Sequence, residues 1–237
     1  MTISKNQFQS PSSAAKPSAK FTLNLLWGII TVPALVIVLF ILTRGVMSDS
    51  FHKFDLAVTD TVRSVASPSF TEFVTIITHL ASSHIIIPIA LVLAAVLAFI
   101  LKRRWDAMSL FIALIGSSLF NEVMKHLIQR ARPADWEHWV QASGYSFPSG
   151  HSMVSMSFYG MLGYIIWLHL KEQGKPAAYV LVLTLLLIVC IGLSRIYLGV
   201  HFVTDVIAGY AAGAAWLLAC IYAMQWLKGR GGNSITS

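Results

Sequence analysis

Three stretches of the chain concentrate side chains suited to binding and attacking an anion. KHLIQRARP, from residue 125, supplies Lys125 and Arg132; PSGH supplies Ser149, Gly150 and His151; SRIYLGVHFVTD supplies Arg195, His201 and Asp205. Three cations drawn together in a poorly solvated mouth repel one another unless an anion fills the gap. Phosphate fits best, because an arginine fork bonds two of its oxygens and lysine adds a mobile point charge. The backbone N–H groups of Ser149 and Gly150, opening an expected helix, would add donors and the positive end of a dipole. The same cations would repel a divalent ion, so neither a metal nor another cofactor is expected.

His201 and Asp205 stand four positions apart, side by side if a helix starts near His201. A carboxylate bonded to one ring nitrogen fixes the tautomer and leaves the other nitrogen free to attack. Lys125 and Arg132, seven apart, would share a helical face if the helix persists, with Pro133 ending it. Taken singly, the histidines and the carboxylate read equally well as helix caps, and the cations as headgroup anchors. Neither reading explains their order along one chain. Ser146, in Gly144-Tyr145-Ser146-Phe147-Pro148, misses the last glycine of a G-x-S-x-G elbow, and no strand precedes it. A serine hydrolase is therefore set aside.

The elements that must hold these residues are apolar helices. The 237 residues are 56% hydrophobic and 11% charged, with mean hydropathy +0.70, too apolar for a water-soluble domain. The formal net charge of +7 comes from short clusters between apolar runs. It forms no continuous basic stripe, so no nucleic-acid partner is expected. Cys190 and Cys220 sit inside apolar runs without metal-type spacing and read as packing residues.

A bilayer takes a run of roughly 20 apolar residues. Such runs fall near 21–42, 85–101, 107–127, 152–170, 177–193 and 203–227. The expected fold is all-α, a polytopic membrane bundle with six transmembrane helices. Between the first two, Phe51, Phe54, Val58 and Val62 recur at helical spacing, Ser67-Pro68 breaks the pattern, and Phe70, Phe73 and Ile77 resume it. Both pieces are too polar to span, so 51–80 reads as an interfacial helical hairpin. Residues 1–20 read as a disordered cytoplasmic tail, 21–228 as the six-span domain with its motifs at 125–205, and 229–237 as a short cytoplasmic tail.

Lys102, Arg103, Arg104, Lys171, Lys175, Lys228 and Arg230 collect with the N-terminal lysines on one side of such a bundle. That side is cytoplasmic by the positive-inside rule, which opens the motifs on the extracytoplasmic face. Trp136 and Trp139 in the outer loop read as interfacial aromatics or as the lining of a lipid entrance. Gly209-x-x-x-Gly213 marks a small-residue face for close packing within the bundle.

Lys125-x6-Arg132-Pro133, Pro148-Ser149-Gly150-His151 and Ser194-Arg195-x5-His201-x3-Asp205 together resemble the three-part signature of the type 2 phosphatidic acid phosphatase superfamily. The resemblance implies an enzyme: a metal-independent lipid phosphate phosphatase that hydrolyses a phosphoric monoester or diphosphate. Its substrates would be amphiphiles such as phosphatidylglycerophosphate, undecaprenyl pyrophosphate or phosphatidic acid; compact size and short loops favour a bacterial plasma membrane over an organelle membrane with a lumenal site. By the same resemblance, His201 attacks phosphorus to form a phosphohistidine, Asp205 orients it, and His151 protonates the leaving oxygen. Lys125, Arg132, Ser149, Gly150 and Arg195 would hold the phosphate oxygens. A lipid phosphotransferase shares every motif, and a headgroup carrier that does not hydrolyse is the alternative from another class. A neutral nucleophile beside a protonated acid, both starting from a pKa of about 6.5, predicts a bell-shaped pH–rate profile.

Overall fold

The computed structural model describes residues 19–231, with side chains at residue 28 and at residues 30–227. Of the tails expected at 1–20 and 229–237, residues 1–18 and 232–237 lie outside the described residues. The regular elements among the described residues are all helices: α1 (Ala19–Met47), α2 (His52–Arg63), α3 (Pro68–His79), α4 (Ser83–Ala95), α5 (Arg104–Ile128), α6 (Gly150–Glu172), α7 (Ala178–Tyr197) and α8 (Val203–Gly231), with an irregular outer loop over 129–149. α4 continues into a π-helical turn at Val96–Ile100. Six helices, α1 and α4 through α8, are long and apolar enough to cross a membrane. The expected six-span bundle is therefore present.

α6 is its axis. α5, α7 and α8 all pack on it, α1 packs on α8, and α4 packs on α5. Met153, Phe158 and Met161 of α6 are buried, together with Ser155 and Ser157. The outer faces are equally apolar: Ile115, Leu119, Leu183 and Leu186 are each more than half exposed. A helix that is hydrophobic all round must be covered by lipid where protein does not cover it.

Small residues let α6 and α8 approach. A Cβ on Gly209 would lie 2.6 Å from the carbonyl oxygen of Ser149, and one on Gly213 would lie 2.6 Å from that of Met153. The stripe serves contact inside the bundle, as its composition suggested. This contact also brings the start of α8, with Asp205, against the start of α6, with Ser149.

α2 and α3, at 12 residues each, occupy the place expected of the interfacial hairpin and are too short to span. Ser67 caps α3, accepting a hydrogen bond from Phe70 N–H at 3.4 Å, and Pro68 opens its first turn. α3 packs on α7, and α2 packs on α7 and α8. These two helices turn polar groups inward: Asp55, Thr59 and Thr78 are buried. They are thus more than a surface for lipid, because they deliver side chains to the interior.

One expectation is corrected. Lys125 and Arg132 do not share a helix, because α5 ends at Ile128 and Gln129 caps it with φ 52° and ψ 32°. The left-handed conformation costs a residue with a Cβ roughly 1–2 kcal/mol. In return the next residue, Arg130, turns into the protein, where buried carboxylates receive it.

Candidate active site

The C-terminal end of α5, the start of α6 and the junction between α7 and α8 meet at one end of the bundle. Between them opens a cavity of about 760 Å³. Lys125, Arg132, Gly150, His151, Arg195 and His201 line its polar end, while Ile86, Leu91, Phe111, Ile115 and Leu119 line the other. Six of the eight candidate residues therefore share one cavity wall. Ser149 and Asp205 are fully buried directly behind it.

His201 lies two residues ahead of α8, not on it, yet the expected pairing forms. Its Nδ1 is 3.4 Å from Asp205 Oδ2, and its Nε2 is 3.2 Å from Arg132 Nη1. A guanidinium only donates, so Nε2 must carry the lone pair and Nδ1 the proton, which is shared between Asp205 Oδ2 and Ser146 Oγ, the latter also at 3.4 Å. The ring is therefore in the tautomer that leaves Nε2 nucleophilic. His201 is 1% exposed, and this burial pushes its pKa down to about 4. The Asp205 hydrogen bond and charge resist that shift, and Arg132 and Arg195 add to it. The imidazole is neutral at pH 7.

Asp205 has several donors besides His201. Ser146 Oγ donates to Oδ2, Phe202 N–H donates to the same oxygen at 2.9 Å, and Arg130 Nη1 reaches Oδ1 at 2.6 Å. The serine set aside as a nucleophile thus helps to hold the carboxylate.

The cations differ in how much they have left to offer. Arg132 is committed to backbone: Nε donates to Gly144 O at 3.1 Å, Nη2 to Ser143 O at 2.8 Å and Nη1 to Val200 O at 2.8 Å. Arg195, only 5% exposed, donates from Nη1 to Thr78 Oγ1 at 2.8 Å, and its buried Nε has no partner among the described residues. An unmet donor on a buried cation costs several times what an ordinary hydrogen bond returns. Lys125 reaches the cavity from the last turn of α5.

The second motif divides its labour. Ser149 is the N-cap of α6; its Oγ accepts from Ser152 Oγ at 3.0 Å and from Ser152 N–H at 3.5 Å, while its own N–H donates to Asp205 O at 3.0 Å. Its Oγ therefore caps α6 and its N–H joins α6 to α8, while Gly150 is the member that lines the cavity. His151, in the first turn of α6, has Nε2 3.4 Å from Ser82 Oγ in the turn between α3 and α4.

Sequence reasoning missed Asp55, Thr78, Arg130 and Thr204. Thr78 lies one turn on from Val74, on the inward face of α3. Asp55 lies next to the apolar positions of α2, and a carboxylate beside an apolar stripe is the signal it offered. Trp136 and Trp139 are half-buried, and Trp139 lines an outer pocket with Gln141, Ala142 and Ser143, residues that also line the main cavity. Trp136 Nε1 donates to Asp60 Oδ1 at 2.9 Å, and Arg63 stacks over the Trp139 ring at 3.9 Å. Both tie the outer loop to α2.

An all-helical, multi-pass membrane bundle around a cationic, histidine-bearing cavity defines the class of protein. Residues 106–228 match the PAP2 superfamily, and the chain belongs to that family. Phosphatidylglycerophosphatase B of Bacillus subtilis (strain 168) is 34% identical over 173 residues, which is 73% of this chain and 84% of that protein. A dolichyldiphosphatase of Saccharomyces cerevisiae is 32% identical over 132 residues, covering 52% of this chain and 54% of that one. The solved transmembrane PAP2-type phosphatidylglycerolphosphate phosphatase from Bacillus subtilis superposes with a TM-score of 0.76 at 30% identity, covering 84% of this chain and 96% of its own.

Proposed function

We propose that this protein is a lipid phosphate phosphatase, hydrolysing a phosphoric monoester or diphosphate of a membrane lipid without a metal ion. The observation that carries the reading is the Nε of Arg195, unpaired among the described residues and buried in the same cavity wall as the neutral His201. A phosphoryl oxygen would satisfy it. The positive charge that phosphoryl transfer requires is supplied here by Lys125, Arg132 and Arg195.

In this reading His201 Nε2 attacks phosphorus in line with the leaving oxygen, and Asp205 retains the Nδ1 proton bond as the ring becomes cationic. Arg132 shifts its Nη1 donor from Nε2 to a phosphoryl oxygen as that lone pair is used. Lys125, Arg195 and the Gly150 N–H hold the remaining charge, with Ser149 fixing the helix start behind them. His151 protonates the leaving oxygen, then draws a proton from the water that cleaves the phosphohistidine.

The apolar end of the cavity suits a lipid chain, since Ile86, Phe111 and Leu119 would have no use for a free sugar phosphate. Phosphatidylglycerophosphate is the favoured substrate, supported by the relative of that name; undecaprenyl pyrophosphate and phosphatidic acid share the reacting group. The distribution of Lys and Arg supports termini in the cytoplasm and a site open to the extracytoplasmic side of a bacterial plasma membrane.

The test is phosphate release from these three lipids in detergent with EDTA present, beside His201→Ala. Release that survives chelation and disappears in the variant is the expected result. A folded wild type that binds the lipids and releases nothing would replace hydrolysis with a carrier or phosphotransferase role.

A further inference from the structure

We propose that Asp55 and Arg130 are positioning residues that extend the His201–Asp205 pair into a four-residue charge chain and set the basicity of the nucleophile. The proposal rests on His201 being that nucleophile. Asp55 comes from α2, outside both the motif segment and the family-matched residues 106–228.

The chain of contacts is continuous. Arg130 Nη1 donates to Asp205 Oδ1 at 2.6 Å and to Thr204 Oγ1 at 2.8 Å, and its Nη2 donates to Asp55 Oδ2 at 2.7 Å. Asp55 in turn accepts from Thr204 N–H at 3.0 Å and from Thr204 Oγ1 at 2.7 Å. Both carboxylates are 0% exposed. The Phe202 ring covers the guanidinium, with Arg130 Cζ 4.2 Å from its centroid. Arg130 therefore splits its fork between two carboxylates, where a bidentate pair would give it wholly to one.

That split has an electrostatic consequence. Two ionised carboxylates and one guanidinium sum to one negative charge, which reaches His201 through Asp205. Attack on phosphorus makes the imidazole cationic, and the chain then becomes neutral. Were Asp55 neutral, Arg130 would cancel Asp205, and the developing charge on His201 would stand uncompensated. Were Arg130 neutral, the chain would carry two negative charges and hold His201 more basic. The other charged and titratable groups facing His201 all come from different elements: Lys125 on α5, Arg132 in the outer loop, His151 on α6 and Arg195 on α7. All are cations or become cationic, so the negative charge that supports His201 arrives through Asp205 alone. A buried imidazole with a pKa of about 4 depends on that one route.

The test is the pH dependence of kcat/KM for phosphate release from short-chain phosphatidic acid in detergent. It compares the full chain with Asp55→Asn, Arg130→Gln and the double variant, with circular dichroism to score folding and His201→Ala as the blank. Arg130→Gln should move the acid limb up by about one pH unit and Asp55→Asn should move it down by a similar amount, the size of losing one charge partner. The double variant, with the wild-type charge sum, should return the limb to its wild-type position. KM should change by less than about twofold while kcat falls, because the network touches the nucleophile and not the lipid. If Arg130→Gln fails to fold, Asp55→Asn and the double variant still differ by the charge of Arg130 alone. The limb of the double variant must then lie above that of Asp55→Asn. Limbs that coincide in all folded variants would overturn the proposal and leave the network as a clasp for α2. An inactive wild type, or an active His201→Ala, would instead overturn the phosphatase reading and this proposal with it.

Discussion

Arg132 Nη1 stands 3.2 Å from His201 Nε2 and 2.8 Å from the carbonyl oxygen of Val200, the residue just before the histidine. One planar group thus fixes the backbone that carries the ring and occupies the lone pair that the ring would use. Lysine can supply the charge but not the fork. Arg132→Lys is expected to lower kcat by about a hundredfold, the usual cost of one misplaced donor at a developing charge. It should also free the segment at Ser143 and Gly144, whose carbonyls Arg132 now holds. Steady-state kinetics and protease sensitivity of the outer loop read the two effects separately.

Burial of His201 has a sign that can be checked against pH. Its folded pKa of about 4 lies below the unfolded value of about 6.5. The unfolded chain therefore binds the extra proton first as pH falls. Stability tied to this residue is intact above pH 6.5 or so and declines toward pH 4, by about 3 kcal/mol in all. Thermal unfolding in detergent should show the wild type losing more stability than His201→Asn across that window. The acid limb of the rate should likewise fall nearer pH 4 than pH 6.5 if His201 must be neutral. Parallel melting curves for the two proteins would contradict the burial argument.

The spans were readable because lipid and protein both select apolar faces, so α4 and α7 stand out whichever side of them is buried. The six cavity residues were readable because Lys125, Arg132, Gly150, His151, Arg195 and His201 fall in three compact motifs. What was not readable depends on contacts between distant segments. Nothing local says that Arg130 rather than Arg132 pairs with Asp205, because the two guanidiniums diverge only once Gln129 turns left-handed. Asp55 looks like an ordinary charge on a short amphipathic helix until α2 docks on α7 and α8. The assignment of Ser149 to phosphate met a similar limit, since its N–H is claimed by Asp205 O, a partner 56 residues away in the chain.

Arg195 carries the clearest unmet need in the site. Its Nε is buried without a partner among the described residues, while Nη1 is fixed by Thr78. Arg195→Gln should therefore weaken binding of orthovanadate, a phosphate analogue, by about 10- to 100-fold, the range for losing a charged hydrogen bond. Thr78→Val should do less, since it removes the support and leaves the charge. Calorimetric titration of the folded proteins with vanadate orders the three. Equal affinity in wild type and Arg195→Gln would remove Arg195 from the anion site.

The apolar end of the cavity offers a way to separate lipid recognition from chemistry. Ser118 lines that end from α5, and its side chain lies on an exposed face of the helix. Ser118→Trp would place a large ring across the path between Leu119 and Ile87 without filling the buried core. A long-chain substrate must then bend or leave, whereas a short, soluble phosphate ester needs only the polar end. KM for the lipid is expected to rise about tenfold, near the value of one or two lost aliphatic contacts. Turnover of p-nitrophenyl phosphate should stay within about twofold, because no group at the reacting phosphorus has moved. If both substrates decline together, the groove is not the acyl path, and the chain must enter from the side of the outer loop instead.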